Sequence, residues 1–274
     1  MQPEDNNNVQ NILATGSSSG IGLHLAKHLH GKGARIWALA RRRQTAFAGD
    51  RLHFLQADVG NYMECAAAAA SLPDGIRLDA IIHCAGMQGE IGPAMTTGVE
   101  AWQRAVQVNL CGTFNVIRAF NEKLMLDARK DSRAKVLCFS GGGATKSRPM
   151  FSAYAAAKTG VVRLVETLAD EWRNLPVDIN AIAPGALPTA MTQETLAAGS
   201  AVTGEAEIAM ALKALAAGDA PWKKLTDLTD HLLSPHSDGI SGRLIAAQWD
   251  PLADVSTGGR AAAENDLYKL RRTQ

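Results

Sequence analysis

Cysteine is sparse in this chain, and its four copies are scattered. Cys65, Cys84, Cys111 and Cys138 form no Cys-x-x-Cys pair, and the seven histidines show no ligand spacing, so no metal centre is expected. Cys84 and Cys138 fall in apolar, strand-like segments, where a thiol behaves as a small hydrophobe. Reduced thiols and a cytoplasmic location are the matching expectation. An excess of one charge is also missing. The 28 Lys and Arg against 27 Asp and Glu leave a formal charge of +1, which gives no reason to expect a nucleic acid or a membrane surface as partner. No apolar run is long enough to span a bilayer. The start of the chain, Met1-Gln2-Pro3-Glu4-Asp5-Asn6-Asn7-Asn8, is polar and acidic. It does not read as a secretory signal, and residues 1–9 read as a disordered lead.

What the chain does have is alternation. Short apolar segments at 11–14, 34–40, 52–57, 80–84, 135–140, 177–182 and 242–247 read as strands. Helical stretches stand between them at about 21–30, 64–70, 102–127 and 154–173. This βαβα order predicts an α/β fold, a doubly wound parallel sheet of about seven strands with helices on both faces. The 274 residues contain no internal repeat and no dividing linker, so a single domain over 1–274 is expected.

The first strand runs into Thr15-Gly16-Ser17-Ser18-Ser19-Gly20-Ile21-Gly22. Gly16 permits a tight turn, while Gly20 and Gly22 allow a phosphate and a helix to come close. The free amides at the helix start suit a pyrophosphate. Gly16, Ser18, Ser19, Gly20 and Ile21 are therefore the expected cradle of a dinucleotide. The second strand ends Ala38-Leu39-Ala40-Arg41-Arg42-Arg43. A fold selective for NAD usually ends this strand with a carboxylate on the ribose hydroxyls. Ala40 stands there instead, and the Arg41 guanidinium that follows matches a 2′-phosphate, with Arg42 able to share it. NADP(H) is predicted over NAD(H).

Tyr154 and Lys158 stand four residues apart in Tyr-Ala-Ala-Ala-Lys. On a helix that spacing puts a phenol and an ammonium on one face. A neighbouring positive charge favours the phenolate, so the pair reads as a tunable proton donor.

With the glycine turn, Tyr154 and Lys158 in place, the chain resembles the short-chain dehydrogenase/reductase family, a Rossmann-fold family, over roughly residues 10–248. Lesser motifs fall in the family's order. Asp58-Val59 follows the third strand, where the family's aspartate meets the adenine. His83-Cys84-Ala85-Gly86 matches the family's Asn-Asn-Ala-Gly only at Ala85 and Gly86, with Cys84 in place of an asparagine. Asn109 matches the catalytic asparagine. Pro184 and Gly185 match the Pro-Gly segment, whose later threonine, Thr189, would contact the nicotinamide carboxamide. The serine is less regular. The family's commonest spacing back from Tyr154 lands on Gly141, and Ser140 is the candidate, ahead of Ser147 and Ser152.

The resemblance implies an NAD(P)-dependent oxidoreductase that interconverts a ketone and a secondary alcohol. Tyr154 would be the general acid in reduction and the base in oxidation. Lys158, together with an oxidised nicotinamide, would lower the tyrosine pKa and would hold the nicotinamide ribose, Ser140 would bind the substrate oxygen, and Asn109 would anchor a proton-relaying water. An NADPH-dependent carbonyl reductase resembling 3-oxoacyl carrier-protein reductases leads. A sugar, polyol or other secondary-alcohol dehydrogenase is the alternative, and a silent NADP(H)-binding sensor stands third. The substrate, a small carbonyl or alcohol compound, is expected between Gln88–Gly98 and the 190–222 segment, which reads equally as a mobile lid or a packed helix. The 249–274 extension departs from the family and is expected to bury Trp249, Leu252, Leu267, Tyr268 and Leu270. A homodimer or homotetramer is implied, through a bundle formed by the helices at 102–127 and 154–173.

Overall fold

The structure, a computed structural model, describes residues 10–43, 45–128, 131–255 and 267–271. The expected lead at 1–9 lies outside the described residues, as does most of the extension beyond Val255.

Seven strands form one parallel sheet in the order β3-β2-β1-β4-β5-β6-β7. They are β1 (Asn11–Thr15), β2 (Arg35–Ala40), β3 (Leu52–Gln56), β4 (Ala80–His83), β5 (Ala134–Phe139), β6 (Val177–Ala183) and β7 (Leu244–Ala246). Every residue of β4 and β5 is buried, as strands covered by helices on both faces require. On one face the core joins β-strand side chains to Cys65 and Ala68 of α2 (Tyr62–Ala70), Val116 and Phe120 of α4 (Gly112–Met125), and Val161, Val162 and Val165 of α5 (Ser152–Glu171). On the other it joins them to Leu25 and Leu29 of α1 (Gly20–Gly31) and Leu225, Leu228 and Leu232 of α9 (Ala220–Leu233). The chain leaves β1 in both directions across the sheet, so a crevice opens between the carboxyl ends of β1 and β4. Ligands of doubly wound sheets sit at such a switch point.

The helix expected at 102–127 is broken. α3 (Val99–Val106) runs into a π-helical turn at Gln107–Cys111 before α4 begins. Its apolar period continues through the turn, which is why the sequence reads as one helix. The turn carries Asn109, and single π turns of this kind recur at functional positions.

The 190–222 segment folds as α6 (Ala190–Ala198), α7 (Ser200–Thr203), α8 (Glu205–Ala216) and the start of α9. Gly199, Gly204 and Gly218 join these helices at φ of +74°, +86° and +59°, a region that only glycine enters readily. Met210, Leu212 and Leu215 face solvent, so the apolar spacing in α8 does not mark a buried stripe.

The extension corrects a second expectation. Trp249, Leu252 and Leu267 are exposed, while Leu270 packs against the core. Residues 267–271 are held by polar contacts instead. Leu244 N donates to Tyr268 O (2.8 Å), and Leu270 N donates to Oε1 of the buried Glu166 (2.7 Å). This dock lies about three turns along α5 from Tyr154, away from the crevice.

Candidate active site

The nucleotide end is a cleft lined by Gly16, Ser18, Ser19, Gly20, Ile21, Arg41, Arg42, Asp58, Val59, Ala85, Gly86 and Thr189. These residues stand far apart in the chain, and all were expected to touch a cofactor. Steric reasons fix the glycines. A Cβ on Gly16 would lie 2.8 Å from the Ala85 backbone, and one on Gly22 would lie 2.5 Å from Gly16 O. The turn can therefore tuck under the next loop only without side chains. Ser17 Oγ is buried beside this turn without a hydrogen-bond partner. Arg41 and Arg42 are exposed at the cleft wall, and no carboxylate stands at the end of β2. The donor set is that of a site for an anionic dinucleotide.

Asp58 is already engaged. Its Oδ1 accepts from Gly60 N (2.8 Å), and its Oδ2 forms an ion pair with Arg104 of α3. Arg104 also lines the cleft. No motif marks it. Its only sequence signal is a position one helical turn before the Asn109 segment.

The expected Pro184, Gly185, Asn109, Ser140, Tyr154 and Lys158 do not line that cleft. Gly185 (φ +79°) packs against Gln248, whose Nε2 donates to Pro184 O and to Pro221 O, each at 3.0 Å. The other four are buried and converge just inside the cleft wall. A Cβ on Gly86 would stand 2.7 Å from Asn109 Oδ1 and 3.6 Å from Lys158 Nζ, so Gly86 stands between the cleft and these two buried side chains. Lys158 Nζ donates to Phe139 O (2.8 Å) and lies 5.7 Å from the Tyr154 ring centroid.

Asn109 makes three side-chain hydrogen bonds. Its Nδ2 donates to Met87 O (2.7 Å) and Ala105 O (2.8 Å), and its Oδ1 accepts from Met87 N (3.3 Å). The amide therefore ties the loop after β4 to the π turn. Cys84 takes no part in an equivalent tie. The residue before it does: His83 Nδ1 lies 3.0 Å from Thr15 Oγ1, which also accepts from Ala85 N (3.1 Å). His83, carrying no family motif, thus links β1 to the Ala85-Gly86 loop. Burial lowers its pKa to about 3, which keeps it neutral.

Ser140 ends β5, buried, and its Oγ has no partner. Gly141 packs against the phenol. A Cβ there would overlap the Tyr154 hydroxyl and sit 2.9 Å from Cε1. Burial acts on both members of the Tyr154–Lys158 pair. Burial pushes the phenol above its ordinary value, opposed by the charge of Arg148. Burial also lowers Lys158 to about 8. Both groups are desolvated, and desolvation penalises whichever form is charged.

A family model described as short chain dehydrogenase matches residues 10–199. The galactitol 2-dehydrogenase (L-tagatose-forming) of Cereibacter sphaeroides is 32% identical over 186 residues, 65% of this chain and 71% of the relative. A 3beta-hydroxysteroid dehydrogenase of Eggerthella lenta is 32% identical over 198 residues, 68% and 74% of the two chains. Among solved structures, an actinorhodin polyketide ketoreductase with NADPH superposes with a TM-score of 0.72 at 22% identity, covering 87% of this chain and 95% of the other, a likeness of fold. The chain belongs to the short-chain dehydrogenase family and is an NAD(P)-dependent oxidoreductase of that family.

Proposed function

We propose that this protein is an NADP(H)-dependent carbonyl reductase that converts a small ketone to a secondary alcohol. The observation that carries this reading is the approach of Asn109 and Lys158 to Gly86, with Tyr154 packed between Gly141 and the Lys158 ammonium, beside a cleft lined by Gly86, Arg41 and Arg42. A bound nicotinamide supplies the hydride. Tyr154 donates its phenolic proton to the carbonyl oxygen as the C–H bond forms, and the reverse reaction returns that proton to the phenolate. Ser140 offers its unpartnered hydroxyl to the same oxygen, a hydrogen bond that strengthens as negative charge develops there. Lys158 would hold the nicotinamide ribose, and Asn109 fixes the loop after β4 through Met87. Pro184, Gly185 and Thr189 complete the nicotinamide side, with Thr189 standing over Gly20.

In the 190–222 region and just beyond it, Lys223 pairs with Asp227 (2.6 Å) and Lys224 donates to Gln248 O (3.0 Å), and a substrate panel decides between a free and a carrier-bound ketone. Polyol oxidation is the second reading, favoured by the galactitol dehydrogenase likeness. The same proposal includes a single domain, a cytoplasmic location and a homodimer or homotetramer built on α4 and α5. Phe114 is half exposed on α4. Gly160, however, is needed within the chain, since a Cβ there would lie 2.8 Å from Leu110. Light scattering decides the assembly. The test of function is NADPH oxidation against ketones, keto-sugars and 3-oxoacyl thioesters, with NADP+ reduction against polyols. Tyr154→Phe should abolish turnover and leave NADPH binding nearly intact. Comparable turnover in that variant would sink the assignment.

A further inference from the structure

The 190–222 segment is fastened to the catalytic loop at one charged point. Arg148, in the loop between β5 and α5, forms a two-pronged pair with Glu207 of α8: Nε to Oε1 at 3.0 Å and Nη2 to Oε2 at 2.7 Å. Both side chains are 16% exposed, so the pair is shielded well enough from water to keep its geometry. The guanidinium carbon also lies over Phe151, 3.7 Å from its centroid, and 5.8 Å from the Tyr154 ring centroid. The backbone is shaped for this. Met150 adopts φ +70° and Gly143 φ +97°, conformations that are costly or glycine-dependent. A Cβ on Gly143 would meet Ala155 at 2.7 Å. On the lid side, α8 hangs between Gly204 and Gly218, both at positive φ with open space around them. Their backbone conformation alone calls for glycine, as at a joint.

We propose that Arg148 is a positioning residue for Tyr154, and that Glu207, by pairing with it, couples closure of α8 to the charge facing the phenol. The proposal rests on Tyr154 being the acid–base group. Among the described residues, the charged groups facing this phenol are Arg148 from the loop before α5 and Lys158 from the next turn of α5. Glu207 of α8 acts through Arg148. The neutral groups His83, Cys84 and Cys138 stand behind Lys158. Lys158 sheds its proton near 8, so above that pH Arg148 is the cation left facing Tyr154. With α8 down, Glu207 offsets part of that charge. With α8 lifted, the phenol faces the full guanidinium. Lid position and proton affinity are therefore linked, because each state of one alters the energy of the other.

The test needs no substrate. The chain has three tyrosines, so the ultraviolet ionisation spectrum of each protein minus that of its Tyr154→Phe counterpart isolates Tyr154. Arg148→Met should move its titration up by about one pH unit, and Glu207→Gln should move it down by a similar amount. Arg148→Lys, which keeps the charge, should restore much of the wild-type value. Hydrogen exchange in α8 should quicken in both Arg148→Met and Glu207→Gln, since each loses the pair. Opposite titration shifts with shared quickening support the proposal. Shifts in the same direction, or none, leave a purely mechanical contact and overturn it, as does unchanged exchange in α8. Turnover surviving in Tyr154→Phe would overturn the acid–base reading instead, while the difference spectra would still report the charge coupling.

Discussion

Gly141 lies so close to the Tyr154 hydroxyl that any side chain at that position would overlap it. Its backbone does not sit in the left-handed region that favours glycine, so the constraint comes from the phenol rather than from the turn. Gly141→Ala should therefore act by displacing Tyr154. We expect turnover to fall by about 100-fold, the usual scale for a misplaced catalytic group, while NADPH binding measured by fluorescence titration stays within a few-fold. Full activity would mean that the phenol moves aside without cost.

Lys158 is held against the fold's own stability. Its pKa falls from 10.5 to about 8 through burial, so the folded state binds its proton less tightly than the unfolded chain does. Below pH 8 both states are protonated and the folded state bears the cost. Between about 8 and 10.5 the unfolded chain alone keeps the proton, and stability rises with pH. Lys158→Met should thus be inactive yet more stable at pH 7, by at most ~3 kcal/mol less the lost hydrogen bond to Phe139 O. Urea unfolding without cofactor checks this. The advantage should shrink as pH approaches 10.5, and a variant less stable than wild type at pH 7 would contradict the account.

The sheet was legible because its signals are local. Apolar runs such as Ile81-Ile82 and Val136-Leu137-Cys138, broken by glycine turns, place the strands within a residue or two of where they lie. The glycine turn was legible for the same reason, since Gly16 and Gly20 take positive φ (+64° and +54°) and a Cβ on Gly22 would lie 2.5 Å from Gly16 O. What escaped was pairing across the chain. Arg104 meets Asp58 from 46 residues away, and Arg148 meets Glu207 from 59. Single charged residues on helix faces or loops carry no mark of their partners. The π turn at Asn109 escaped because its apolar pattern does not differ from that of an α-helix. The burial of Tyr154 and Lys158 escaped because their spacing fixes a shared helix face and not what covers it.

Arg41 and Arg104 should differ in how they discriminate the two cofactors. Arg41 is exposed at the cleft wall, whereas Arg104 lines the same cleft paired with Asp58. Arg41→Ala should weaken NADPH by about 10-fold or more, the scale of one charge-assisted contact, and leave NADH nearly unchanged. Arg104→Met should weaken both cofactors to a similar degree, because it frees Asp58 rather than removing a phosphate contact. Calorimetric titration of each variant with both cofactors is the check. Equal losses for Arg41→Ala would refute its phosphate role.

The direction of reaction should decide the sign of the pH dependence. Reduction uses the protonated phenol and the charged ammonium. Burial keeps the phenol protonated past its ordinary range, whereas Lys158 loses its proton near 8. The kcat/KM for reduction should therefore be level at neutral pH and fall above about 8, with Lys158 rather than Tyr154 setting the limb. Oxidation uses the phenolate, so its kcat/KM should climb with pH up to about 8, where the loss of the Lys158 proton holds it back. Lys158→Arg separates the two groups. A guanidinium stays charged throughout, so the alkaline fall in reduction should move upward by one pH unit or more, even if the rate itself is lower. A limb that stays near 8 in that variant would assign it to another group and remove Lys158 from the alkaline control of reduction.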